Sequence, residues 1–171
     1  MPEGEGVYTY LNGDRYEGFL TAGKKHGKGY FVYVNGDSYD GDWANNVQEG
    51  VGTYWYRGSG VYKGEWKEGR RHGKGRLDGT DGRYVGAWEN GKRNGYGEWL
   101  SPSGDAYVGY WKDDEKHGLG KVTFAEHSRS MKGKYENGKY LGKVDKAEWA
   151  RAFPDWDNQI FDEEYWKEFM K

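Results

Sequence analysis

Three sets of residues in this sequence have types and spacings that could do chemistry. Gly18 to Lys24 (GFLTAGK) and Gly86 to Lys92 (GAWENGK) have the Gly-x4-Gly-Lys spacing of a loop whose backbone amides cradle phosphates. His26, His72 and His117 recur at one repeated position, the arrangement that imidazole ligands to a metal would have along a scaffold. Carboxylates are abundant, and a close pair could share acid and base roles. Each candidate fails on its own terms. Neither glycine loop continues into Ser or Thr or opens a helix. Glu49 and Asn94 interrupt the histidine column, and hairpin repeats would hold its members about 9.6 Å apart or more. No pair of carboxylates stands apart from the repeat that distributes them. The sequence therefore predicts no catalytic residue, no cofactor-binding or metal site and no small-molecule substrate, and the protein is expected not to be an enzyme.

What generates these coincidences is a repeat. Aligned on Tyr-x-Gly-x-Trp, the repeats begin near Tyr16, Tyr39, Tyr62, Tyr84 and Tyr107, followed by a degenerate one at Met131. The intervals are 23, 23, 22, 23 and 24 residues. A half repeat occupies 4–14, the degenerate repeat 131–144, and the array as a whole 1–144. Within YKGEW, Tyr62, Gly64 and Trp66 fall on one side of an extended strand and Lys63 and Glu65 on the other. The segment after the turn alternates as well, with Gly27, Gly29, Phe31 and Tyr33 on one face. Each repeat reads as a β-hairpin joined by a glycine- and charge-rich turn such as TAGKKH, with LNGD and VNGD as tight turns between repeats. Stacked hairpins give the expected fold class: an all-β repeat array, a single elongated, twisted antiparallel sheet of about 12 strands, with a short C-terminal α-helical tail. Tyr16, Tyr39, Tyr62, Tyr84 and Tyr107 form one column on a face, and Trp43, Trp66, Trp88 and Trp111 form another. Glycines on that face make room for the rings, and charges take the opposite face and the turns.

Composition agrees. Only 35% of the 171 residues are hydrophobic, yet 18% are aromatic and 30 are glycine, so burial has to be built from rings. Without cysteine there is no disulfide scaffold, and a reducing compartment fits. A net charge of −2 gives no case for nucleic acid as partner. With no signal-like N-terminus and no apolar run of membrane-spanning length, a soluble, cytoplasmic protein is expected.

YEGFLTAGKKHGKG, YKGEWKEGRRHGKG, YVGAWENGKRNGYG and YVGYWKDDEKHGLG resemble MORN repeats (membrane occupation and recognition nexus), whose pattern is Tyr-Glu-Gly-x-Trp, a short turn, then His-Gly-x-Gly. Departures occur at Glu49 and Asn94, in RLDGTDGR, and in the last repeat. The resemblance implies a rod of hairpins whose aromatic groove binds partner helices or peptides. It is to the repeat-only members, found in cilia, radial spokes and cortical cytoskeleton, because no catalytic domain is expected in the 27 residues left over. The expected function is a non-catalytic scaffold in a ciliary, axonemal or other cytoskeletal complex. A partner segment would lie along Tyr16, Tyr39, Trp43, Tyr62, Trp66, Tyr84, Trp88, Tyr107 and Trp111. The alternative is a peripheral module for acidic phospholipids such as phosphoinositides. It would use Lys24, Lys25, Arg70, Arg71, Lys92, Arg93 and Lys116, whose equivalent turn positions predict one basic ridge.

The tail, 145–171, changes period. Trp149, Phe153, Trp156 and Ile160 have helical spacing, and Phe161, Trp166 and Phe169 extend the apolar stripe, so two short helices are predicted, the first capped by Asp145. They are expected to cap the open end of the sheet or to anchor a partner. An apolar island predicted on the charged face, comprising Val85, Ala87, Tyr96, Leu100, Val108, Tyr110 and Leu119, is a second candidate interface or, equally, a landing place for this tail.

Overall fold

The computed structural model describes residues 3–127 and 129–153. Thirteen strands hydrogen-bond strictly in chain order as one antiparallel sheet, one strand more than the repeat count suggests, because the truncated last repeat still closes its hairpin. The chain forms two compact units, Met1–Thr80 with Trp88–Gly91, and Asp81–Ala87 with Lys92–Lys171. The first unit holds β1 (Gly4–Thr9), β2 (Arg15–Thr21), β3 (Lys24–Val32), β4 (Ser38–Ala44), β5 (Val47–Tyr56), β6 (Gly60–Lys67) and β7 (Arg70–Gly79). Strand β8 (Gly82–Glu89) is divided between the units. The second unit holds β9 (Lys92–Leu100), β10 (Ala106–Lys112), β11 (Glu115–Phe124), β12 (Arg129–Glu136), β13 (Lys139–Gly142) and helix α1 (Lys146–Ala152).

Turn chemistry sets the strand boundaries. Within repeats the connections are two-residue turns with both residues at positive φ: Ala22 and Gly23, Asn45 and Asn46, Glu68 and Gly69, Asn90 and Gly91, Asp113 and Asp114, Asn137 and Gly138. That geometry matches strand twist and suits Asn, Asp and Gly. Between repeats, an aspartate at the end of one turn accepts the backbone N–H of the next repeat's turn. Asp14 takes Val34 at 2.8 Å, Asp37 takes Arg57 at 2.8 Å and Asp105 takes Ala125 at 2.9 Å.

The two glycines of Gly-x-Gly do different jobs, which corrects the expectation that both make room for rings. The second lies under a tyrosine: a Cβ on Gly29, Gly52 or Gly75 would collide with Tyr16, Tyr39 or Tyr62. The first has positive φ and sits where the register shifts, as at Gly73 (φ 55°), beside the shift between Gly64 and Glu65. It is a β-bulge residue, and a Cβ on Gly73 would meet Glu65, on the face away from the rings.

In each unit the tyrosine and tryptophan columns form the main core on one face of the sheet. Tyr16, Tyr39, Tyr62 and Tyr107 are fully buried and Tyr84 is 2% exposed, while Trp43, Trp66, Trp88 and Trp111 are 3–6% exposed. In the first unit Tyr39 meets Trp43 and Trp66 edge-on at 5.2 Å each, and Tyr62 meets Trp66 and Trp88 at 5.2 and 5.3 Å. In the second, Tyr107 stands between Trp111 (5.1 Å) and Tyr135 (5.3 Å). Each such pair adds about 0.5–1.5 kcal/mol beyond area burial.

Helix α1 starts as predicted, with Asp145 accepting from the Glu148 N–H at 2.7 Å. Its described ring contacts are with the face of the sheet. Within the second unit Phe153 packs on Tyr110 (5.7 Å) and Tyr96 (6.3 Å), and Lys132 lies 4.8 Å over the Trp149 ring. Trp149 and Phe153 are each 5% exposed. Tyr96 and Tyr110 belong to the predicted apolar island, which gives the helix the aromatic bed that an edge of backbone groups lacks. Trp156, Ile160, Phe161, Trp166 and Phe169 lie outside the described residues.

Candidate functional site

Within each unit the rings predicted to line a partner groove share one face, but they form its interior and not its surface. Their polar groups are also used. Tyr16, Tyr39, Tyr62, Tyr84 and Tyr107 donate their hydroxyls to the carbonyls of Phe19, Asp42, Glu65, Ala87 and Tyr110 at 3.0–3.1 Å. The indoles of Trp43, Trp66, Trp88 and Trp111 donate to the carbonyls of Gly29, Gly52, Gly75 and Gly97 at 2.9–3.3 Å. Burial pushes these phenols up: Tyr16 to about 12, and Tyr39, Tyr62, Tyr84 and Tyr107 further in the same direction. A partner on this face meets whatever lies over the rings.

In the first unit that outer layer is a second row of rings. Tyr10 is 39% exposed, and Tyr33, Tyr54 and Tyr56 are partly exposed. Tyr10 leans on Phe31 (5.8 Å), Phe31 on Tyr33 (4.5 Å), Tyr33 on Tyr54 (5.7 Å) and Tyr54 on Tyr56 (4.4 Å). Gln48 donates to the Tyr33 hydroxyl at 3.2 Å, and Tyr54 donates to Asp37 at 3.0 Å. Alternation along the sequence places Tyr33 on this face but does not by itself reveal the column to which it belongs. Tyr10, Tyr33 and Tyr56 recur at intervals of 23 residues, the signal that would have revealed it.

The predicted basic ridge is corrected by the turns. Because the two-residue turn ends at Gly23, Lys24 and Lys25 are the first residues of β3 and point to opposite faces. Lys24, Arg70 and Lys92 are exposed on the side away from the rings, with Lys92 paired to Asp113 at 3.1 Å. Lys25, Arg71, Arg93 and Lys116 turn onto the ring face instead. Lys25 lies 4.7 Å over Phe31 and 4.9 Å over Trp43, and Arg71 lies 4.3 Å over Trp88. In the second unit Arg93 lies 4.3 Å over Trp111 and Lys116 lies 4.8 Å over Tyr107. Desolvation lowers the Lys25 and Lys116 pKa values. These four cations are lids on the aromatic core, which splits the ridge proposed for lipid headgroups.

The histidines lie in strands just past the turns, not in the turns, His26 opposite Phe19 and His72 opposite Glu65. Among the described residues no group of three or more His, Asp or Glu side chains is placed to hold a metal ion. No described helix is long and apolar enough to cross a membrane.

A family model for the MORN repeat matches residues 1–15, 16–38, 39–61, 62–82, 84–106 and 107–129, well over half of the chain. Five of its boundaries fall on the buried tyrosines. Comparison with curated proteins gives no match.

Proposed function

The chain belongs to the MORN-repeat family, whose repeats are in general protein- and membrane-interaction modules, and from that premise we propose that it is a non-catalytic scaffold that docks a protein segment on the ring face. One observation carries this. The tyrosine–tryptophan core of the first unit is closed, yet Tyr10, Tyr33, Tyr54 and Tyr56 stand partly exposed over it, bordered by Lys25 and Arg71. Rings held rigid by neighbours, with polar tips toward solvent, are the residues that dominate protein interfaces. Resemblance to repeat-only relatives supports a ciliary, axonemal or other cytoskeletal assembly in the cytoplasm as the setting. The test is affinity capture from cell extract with the full chain and with a Tyr33→Ser, Tyr54→Ser variant, which substitutes no residue of the buried tyrosine and tryptophan columns and whose fold is checked by circular dichroism. A discrete set of proteins captured by the native chain and lost by the variant is expected; an identical set from both contradicts the assignment.

The membrane reading keeps one supporting feature, the exposed Lys24 and Arg70. It needs several basic residues on one side, each worth about 1 kcal/mol at an anionic surface. With Lys25 and Arg71 turned to the other face, cosedimentation with vesicles rich in phosphoinositide should be weak and unchanged by Lys24→Glu, Arg70→Glu.

A further inference from the structure

One position in the repeat, the second residue of the following turn, changes from repeat to repeat beside the ring-face cations: Asn46 by Lys25, Gly91 by Arg71, Asp114 by Arg93 and Gly138 by Lys116. In the second unit Arg93 on the ring face has an internal counter-ion. Asp114, the second residue of the next turn, accepts from the Arg93 backbone N–H at 2.9 Å and from Nε at 3.1 Å. In the first unit the same relation holds for Lys25, whose backbone N–H donates at 2.8 Å to the side-chain oxygen of Asn46, again the second turn residue. Asn46 is neutral. For Arg71 the equivalent residue is Gly91, which offers only its carbonyl, at 2.6 Å from the guanidinium. Neither Lys25 nor Arg71 has a carboxylate within ion-pair distance among the described residues. The two acids at this margin are hydrogen-bonded to turns, Asp14 to Val34 and Asn12, Asp37 to Arg57 and Tyr54; the Asp14 charge acts favourably on Lys25 from beyond ion-pair distance and offsets its desolvation only in part. Both cations are partly buried over aromatic faces, where a charge without a contacting counter-ion is costly.

Resting on the docking function above, we propose that the first unit's ring face takes an acidic protein segment, whose carboxylates fill at Lys25 and Arg71 the place that Asp114 fills beside Arg93. Lys25 on β3 and Arg71 on β7 are four strands apart, about 19 Å at ordinary strand spacing. That span is covered by about six residues of extended chain or about thirteen of helix. Between the two cations the segment runs over Gln48, Tyr33, Tyr54 and Tyr56, so it needs apolar or aromatic residues between its acids. A lipid surface fits less well, since it would have to reach cations recessed beside the phenol row while the exposed Lys24 and Arg70 point away.

The test selects from a random 16-residue peptide library displayed on phage, with the full-length chain as bait. Selected peptides are measured by fluorescence anisotropy on the native chain, on Lys25→Gln, Arg71→Gln, and on Asn46→Asp. Asn46→Asp supplies an internal carboxylate while retaining both cations, at a positive φ (74°) close to that of Asp114 (72°). The expected result is net-acidic sequences whose affinity falls about tenfold on the double Gln variant and severalfold on Asn46→Asp. Neutral or basic sequences that bind all three proteins alike, yet are displaced by Tyr33→Ser, Tyr54→Ser, would overturn the acidic partner and leave ring-face docking standing. An absence of ring-face binders together with capture by anionic vesicles would overturn both.

Discussion

Replacing Gly75 by alanine probes the core directly. Gly75 has ordinary extended backbone, so the substitution brings no conformational strain, and alanine in an unobstructed strand site would be mildly favourable. The cost is steric. The added Cβ would lie 2.5 Å from both Cε2 and Cζ of Tyr62, with the hydroxyl closer still. Tyr62 cannot slide easily: it is fully buried, donates to Glu65 at 3.0 Å, and is held edge-on by Trp66 and Trp88. If ring and strand shift together the cost is about 1–3 kcal/mol. If the ring leaves, the hydrogen bond (about 1 kcal/mol) and two ring pairs (about 0.5–1.5 kcal/mol each) go with it, giving about 2–4 kcal/mol before any loss of burial. The assay is denaturant unfolding followed by tryptophan fluorescence, as a double-mutant cycle with Tyr62→Ala. Gly75→Ala should destabilise by at least about 1 kcal/mol in the native background and by nearly nothing beside Tyr62→Ala. Equal cost in both backgrounds would refute the claim that this glycine exists to accommodate that ring.

Other consequences are as specific. Trp66→Phe keeps a ring but deprives the Gly52 carbonyl of its buried indole donor, and should cost about 1–3 kcal/mol in the same assay. Alkaline pH should unfold the protein through its tyrosines. Their folded values lie above the ordinary value near 10, so their contribution is constant below about pH 10 and falls as pH rises through the folded values, about 12 for Tyr16. Phenolate absorbance should lag behind free tyrosine and then rise together with loss of the sheet's circular dichroism; five early, non-cooperative ionisations would contradict the buried column. Trp149→Ala should free α1 from its bed and raise hydrogen exchange in 146–152 while leaving β2 to β7 unchanged.

Much of the fold is readable from alternation alone. A twofold pattern renewed every 23 or so residues puts Tyr62, Gly64 and Trp66 on one face whatever the register, and Asp145 with Glu148 three residues on announces the start of α1. The site is less readable because it depends on where each turn ends. TAGKKH looks like one basic turn, but Ala22 and Gly23 complete it, so Lys24 and Lys25 part company. The pairs Glu68-Gly69 and Asn90-Gly91 carry the same signal in the sequence. Burial is harder still, since an aromatic face reads as a sticky surface until its own lysines and arginines are seen lying over it. The landing of Phe153 between Tyr96 and Tyr110 pairs two clusters, each visible in the sequence, but their contact depends on the chain turning back after Gly142.

The most direct test of ring-face docking is a photo-crosslinking amino acid placed at Tyr54 on that face and, separately, at Tyr30, which is exposed on the other. In cells, position 54 should yield a discrete protein adduct, and a crosslinked peptide rich in Asp and Glu, with little from position 30. Adducts from position 30 alone, or only lipid adducts at 54, would contradict a scaffold that works through its aromatic side.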